Sequence, residues 1–240
     1  MSVGFPHNNM SSNDVSSLGA EALYARESAG IFMASVYRWM TFGLGITALV
    51  AWYCVHNEAL LGFVLNNVWL VVLSPLALVL VLSFTAHKLS GPVAAVLFLA
   101  YATLMGLSLS TIFLVYQLGS IFGAFAITAT AFLALSVYGT VTKRDLSAWR
   151  SFLFIGLVGI IVAGIVNLFM RSGPMGFVIS CCTVVVFAGL TAYDTQKLRQ
   201  IHATSGHRSM TALAVHGALV LYLDFINLFL AILRIMGRRD

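Results

Sequence analysis

Charge is scarce in this chain. Of its 240 residues 9% are charged and 60% hydrophobic, against roughly a quarter charged in an ordinary soluble domain. The shortage excludes a soluble globular protein and leaves a membrane one. A formal charge of +5 could suggest nucleic acid, but the basic residues sit singly or in pairs at the ends of apolar runs, where they orient a membrane protein instead. Cysteine is also sparse. Cys54, Cys181 and Cys182 all lie in apolar context, and neighbours on a helix point about 100° apart, so they provide neither a disulfide framework nor a zinc site and read as packing residues. The signatures of common active sites are missing too: there is no HExxH, no GxSxG, no phosphate-binding Walker loop and no glycine fingerprint after a strand. No enzyme and no tightly bound cofactor are expected. Finally, "MSVGFPHNNMSSNDVSSLG" lacks the basic start and immediate apolar run of a secretory signal, so the first span should be a permanent helix.

What is present is a series of apolar stretches near twenty residues long. Seven can be counted, over residues 35–55, 67–86, 93–116, 120–141, 151–170, 174–194 and 211–233, each sufficient to cross about 30 Å of hydrocarbon as a helix. The expected fold is an all-α bundle of seven transmembrane helices. Residues 1–34, rich in Ser, Asn and Gly, read as a flexible cytoplasmic tail. Residues 35–235 form the membrane domain, and 236–240 a short C-terminal tail.

Lys and Arg set the orientation. Arg26, Lys88, the loop with Lys143, Arg144 and Arg150, and the loop with Lys197, Arg199 and Arg208 fall on one side, which should be cytoplasmic. The turn at Gln117 and Gly119 is uncharged and falls on the other. Seven crossings then put the C-terminus outside, against the local preference of Arg234, Arg238 and Arg239. Small residues predict close helix contact at Gly43, Gly45, Gly106, Gly156, Gly159 and Gly164. Asp145 or Ser147 should cap the fifth span, and Trp39, Trp52, Trp69 and Trp149 should anchor span ends at the interface.

Of eight acids, six lie in the tail, loops or C-terminus. Asp194 ends the sixth span and Asp224 sits near the middle of the seventh, in "LVLYLDFINLFLAIL". A charged Asp at a helix centre costs about 2.5 to 3.5 kcal/mol on insertion scales, so it needs a partner, a proton or a wet cavity. Asp224 shares its face with Gly217, Asn227 and Ala231, opposite an apolar stripe of Leu223, Ile226, Leu230 and Leu233. It should therefore point into the bundle with Asn227 in support. Asp194 could simply pair with Lys197. Facing Asp224 across antiparallel helices, however, it would form a pair that cannot doubly ionise at low cost and so shares a proton, a pH sensor by construction. Deprotonated, two Asp side chains with carbonyls and waters would make a weak, transient Ca²⁺ site, suited to permeation. Lys88 and His87, after the second span, and His216 are further candidates. Dual-aspartate intramembrane proteolysis is poorly matched: "AYD" is present, but Asp224 follows "LYL" rather than a Gly-x-Gly.

"GLTAYDTQKLR", "LYLDFINLFLAILRI" and "YGTVTKRDLS" resemble the signatures of the bacterial branch of the Bax inhibitor-1, or transmembrane Bax-inhibitor-motif, family, with the likeness running from about Tyr37 to Gly237. The resemblance implies a bacterial inner-membrane bundle with its seventh helix central, acting as a pH-sensitive Ca²⁺ leak, with calcium as transported ion. It implies that Asp194 and Asp224 are the proton sensor and that a basic residue at the matching position of Lys88 latches one of them. Family members in that role carry Arg, and Lys cannot form the bidentate fork. Some bacterial relatives also connect to a membrane-anchored AAA protease, as substrate and modulator, through the N-terminal tail.

Overall fold

The computed structural model describes residues 12–85, 90–204 and 210–238, with side chains over 27–83, 90–201 and 210–238. Among these residues the fold is all-helical: α1 Ser12–Val55, α2 Glu58–Asn66, α3 Val68–Thr85, α4 Gly91–Leu109, α5 Leu118–Val141, α6 Arg150–Met170, α7 Gly173–Thr204 and α8 Met210–Met236. Short 3-10 segments, Ser110–Leu114 and Leu146–Trp149, extend α4 and lead into α6.

The count departs from the expected seven crossings. Among the described residues five helices are long and apolar enough to span a membrane: α4 with its 3-10 extension, α5, α6 with its lead-in, α7 and α8. A sixth is obtained if Glu27–Val55 and α2, bent by 98°, are taken as one broken span. The cause of the break is local. Asn57 takes an extended conformation and its side chain accepts the Leu60 N–H at 3.0 Å, starting a new helix in a new direction. Among the described residues the apolar part of α3 is Val68–Ser83, below the length counted as a span.

The first helix also begins earlier than expected. α1 starts at Ser12, and Ala29, Phe32 and Met33 are buried, so part of the stretch expected to be a tail is packed into the bundle. Residues 1–11, the remainder of that tail and of the proposed handle for a protease, lie outside the described residues, as do His87 and Lys88. Trp52, Trp69 and Trp149 are exposed at helix ends as interface anchors would be, whereas Trp39 packs against the core midway along α1.

α8 is the most enclosed span: 61% of its apolar window is buried, against 6–39% in the other four. It packs against α1, α4, α5 and α7, while α6 leans on α7 at the periphery. Because α8 is walled on most sides, the stripe expected to lie apart from the bundle is covered too: Ile226 and Leu233 are buried, and Leu223 and Leu230 are half-buried. Its C-terminal end is tied down, the Gln117 N–H donating to the Arg238 carbonyl at 3.2 Å and the Arg238 N–H to Ser120 Oγ at 3.0 Å.

Pro75 shows how sequence, hydrogen bonding and packing connect. Proline has no N–H, so the carbonyl four residues earlier, at Val71, loses its helical donor. Ser74 Oγ donates to it at 3.0 Å from the same helix and Ser108 Oγ at 2.7 Å from α4, joining α3 to α4 beside the buried trio Cys54, Val64 and Val71. Ser108→Ala should lower stability by about 1 kcal/mol. Thermal melting of the detergent-solubilised protein reads this, and an unchanged midpoint would show that Ser74 alone satisfies the carbonyl.

Candidate functional site

Asp224 lies in the middle of α8, the helix that α1, α4, α5 and α7 surround, and is 4% exposed. Its Oδ2 has no hydrogen-bond partner among the described residues. Asp194 lies half-buried on α7, close enough for its charge to act on Asp224. The register agrees. Leu198 of α7 lies against Gly217 of α8, and counting along antiparallel helices from that contact sets the two carboxylates roughly one helical turn apart along the bundle axis. Lys197 acts on Asp194 through its charge, while its ammonium stands over the Tyr193 ring, 5.6 Å from the centroid.

Two further polar atoms are buried without a partner among the described residues: Ser136 Oγ on α5 and Thr195 Oγ1 on α7. Thr195 follows Asp194 in sequence, and Ser136 lies one turn before Gly139, where α5 and α7 press together against the Ala192 carbonyl. Buried polar atoms without partners are costly. A water or a cation would satisfy the hydroxyls, and a proton, a water or a cation the Asp224 oxygen.

Asn227 does not support Asp224 as expected. Its Nδ2 donates to the Leu223 carbonyl at 2.8 Å, closing the amide onto its own helix one turn back, as short polar side chains do in an apolar setting. His216 is exposed. Among the described residues no group of three His, Cys, Asp or Glu could hold a metal, so a cation at the Asp pair would have to complete its shell from carbonyls, hydroxyls and water.

The sequence reading missed a polar knot two residues before Asp224. Tyr222 Oη lies 2.7 Å from Thr47 Oγ1, which also approaches the Gly43 carbonyl at 3.0 Å and the Ala102 carbonyl at 2.9 Å. Both carbonyls can only accept, so Thr47 donates to them and Tyr222 donates to Thr47. Phe98 and Tyr101 meet the Tyr222 ring edge-on at 5.8 and 5.6 Å. The knot fixes α8 to α1 and α4 at the level of Asp224, on another face of the helix. A tyrosine within "LVLYLDF" and a threonine four residues after Gly43 were the available signals. Tyr222→Phe keeps the shape and loses one donor, so it should cost about 1 kcal/mol, whereas Thr47→Val strands a buried phenol and should cost about 2. Melting curves of the two variants give the order, and equal losses would show that the phenol has another acceptor.

Two residues after Asp194 on α7, the side chain of Gln196 accepts the Leu146 N–H and donates to the Arg144 carbonyl, each at 2.9 Å. Arg199 Nη1 donates to the Thr140 carbonyl at 2.6 Å. Asp145 caps the lead-in to α6, accepting the Ser147 N–H at 2.9 Å, a bond that holds its carboxyl below the usual range. The α5–α6 loop is thereby bolted to the helix that carries Asp194.

Comparison with known proteins adds the following. The model of a family described as "Inhibitor of apoptosis-promoting Bax1" matches residues 30–240. The chain is 47% identical over 214 residues to an Escherichia coli protein named "Inner membrane protein YbhL", with 87% of this chain and 92% of that one covered. It is 45% identical over 211 residues to an uncharacterised protein of Deinococcus radiodurans, covering 87% and 91%. An uncharacterised membrane protein of Streptococcus pyogenes is 38% identical over 225 residues, covering 91% and 98%.

Proposed function

The chain belongs to the Bax inhibitor-1 family of membrane proteins, and from that premise we propose that it is a pH-sensitive Ca²⁺ leak of the bacterial inner membrane, gated by Asp194 and Asp224. The observation that carries the reading is Asp224 itself, an almost fully buried carboxyl group whose Oδ2 lacks a partner among the described residues and which feels the charge of a second carboxyl group. Structural carboxylates inside a membrane are normally satisfied by neighbouring donors. This one is left for a proton or a cation to complete. Protonated, the pair is close to neutral and suits a closed, dry bundle. Deprotonated, it repels itself and offers hard oxygens to Ca²⁺.

In this reading the chain makes seven crossings, with the broken α1–α2 unit and the short α3 among them and α8 last and central. The N-terminus is cytoplasmic and the C-terminus periplasmic. Support comes from the docking of residues 237–238 onto the uncharged turn at 117–120, the opposite end of α5 from Lys143 and Arg144. The protein moves an ion and transforms no substrate. The test is Ca²⁺ entry into proteoliposomes containing the purified protein, followed with an internal indicator at several pH values. Flux without pH dependence, or flux unaltered by Asp224→Asn, would overturn the proposal.

A further inference from the structure

A second site lies on the side of the bundle facing α1 and α5. Both helices pack on α8 but barely meet each other. The gap between them is an apolar groove of about 660 Å³, floored by Phe225 and walled by Leu44 and Gly45 on one side and Phe132 and Leu133 on the other. That size falls in the usual range for small-molecule pockets, about 300–1,000 Å³. Its walls belong to membrane-depth segments, so what fills it must come from the bilayer.

The groove has a charged end. Thr140 lines both the apolar groove and a neighbouring space of about 540 Å³ that is bordered by Lys143, Arg144 and Arg199. The one acid among the described residues on that border, Asp145, is engaged with the Ser147 N–H. Among the described residues the balance on that border is two positive charges in excess, with Lys143 and Arg144 on a loop that Gln196 and Arg199 hold in fixed position. An apolar slot running at its end into a rigid cationic pocket matches an amphiphile with an anionic head. Soluble anions would use only the pocket, and neutral lipids only the slot.

We propose that this is a binding site for an anionic phospholipid of the cytoplasmic leaflet, with one acyl chain between α1 and α5 and the phosphate-bearing head against Lys143 and Arg144. Because the acyl chain lies on Phe225, next in sequence to Asp224, occupancy would bear on the helix that carries the buried carboxyl group. The site itself does not depend on ion conduction.

Two variants separate the parts. A Cβ at Gly45 meets nothing within 4 Å, so Gly45→Leu fills the groove without forcing the helices apart. Lys143→Gln with Arg144→Gln removes charge from exposed side chains and leaves the backbone bonds to Gln196 in place. Delipidated protein in detergent is offered phosphatidylglycerol, phosphatidylcholine or inorganic phosphate, and retained adducts are counted by native mass spectrometry. Phosphatidylglycerol should be retained over phosphatidylcholine and resist displacement by phosphate. The double charge variant should weaken its binding by roughly thirtyfold, at about 1 kcal/mol per basic residue, and Gly45→Leu should abolish retention. Equal retention of the two lipids, displacement by phosphate, or an undiminished complex in the charge variant would overturn the proposal. So would a folded Gly45→Leu protein that binds normally. The charge variant decides alone if Gly45→Leu fails to fold, and Asp224→Asn should bind lipid as the parent does.

Discussion

Asp224→Asn is expected to yield a folded protein whose Ca²⁺ flux is low and flat with pH, where the parent's flux rises as pH is raised across neutrality. The direction follows from charge. As protons leave the pair, its charge moves toward minus two, so attraction for a divalent cation and repulsion between α7 and α8 grow together. Asparagine keeps the size and removes the titration. Losing one charge-assisted contact, worth about 1.5–3 kcal/mol, corresponds to roughly a ten- to hundredfold drop in flux at the alkaline end. Asp194→Asn should do less. Its carboxyl group is half-buried and answers to Lys197 as well as to Asp224, so the variant should keep a residual flux. If both substitutions merely shift the melting midpoint while flux and its pH profile stay as they were, the aspartates are helix-to-helix glue and the leak is carried elsewhere.

The two aspartates were legible in the sequence because acids are rare there, so any acid at membrane depth stands out. The helices were legible because hydrocarbon demands long apolar runs. What was hidden follows from the same chemistry. In a membrane the lipid-facing and protein-facing sides of a helix are both apolar, so an apolar stripe does not tell outside from inside. Thus Ile226 and Leu233, on the stripe away from Asp224, turn out to be buried, and the enclosure of α8 is a property of its neighbours. Hydrogen bonds back to a helix's own backbone, such as that of Asn227, are invisible in spacing. The break at Asn57 was readable in principle, as a cap residue followed by Glu58, but the apolar residues on both sides mask it. Glycine was half legible. Gly43, Gly106 and Gly156 do sit where an added Cβ would meet a neighbour within 3 Å, whereas Gly45, Gly159 and Gly164 face open space. Gly139, Gly189 and Gly217 make close contacts that no motif announced.

Gly139→Leu is expected to prevent the protein from folding, and Gly139→Ala to lower its melting midpoint measurably. A Cβ at this position would fall on the Ala192 carbonyl, with the carbonyl carbon at 3.1 Å and Cα at 3.2 Å. The obstacle is the backbone of α7, which cannot swing aside as a side chain does, so α5 and α7 must separate. Overpacking of a tight interior costs about 1–3 kcal/mol, against the 5–15 kcal/mol that typically holds a domain together. An opposing gain exists, because alanine is favoured over glycine in a helix by about 1 kcal/mol. Gly159 makes the two terms separable. Nothing lies within 4 Å of a Cβ there, so Gly159→Ala should leave stability equal or higher, and the opposite signs at the two glycines isolate the contact from the propensity. Equal melting midpoints for Gly139→Ala and Gly159→Ala would sink the argument. The contact also bears on function. One turn before Gly139 lies the hydroxyl of Ser136, unpartnered among the described residues, and next to Gly139 is Thr140, whose carbonyl Arg199 holds. Prising α5 from α7 would therefore loosen the helix that presents Asp194. Any Gly139→Ala protein that survives purification should leak Ca²⁺ with a weaker dependence on pH than the parent.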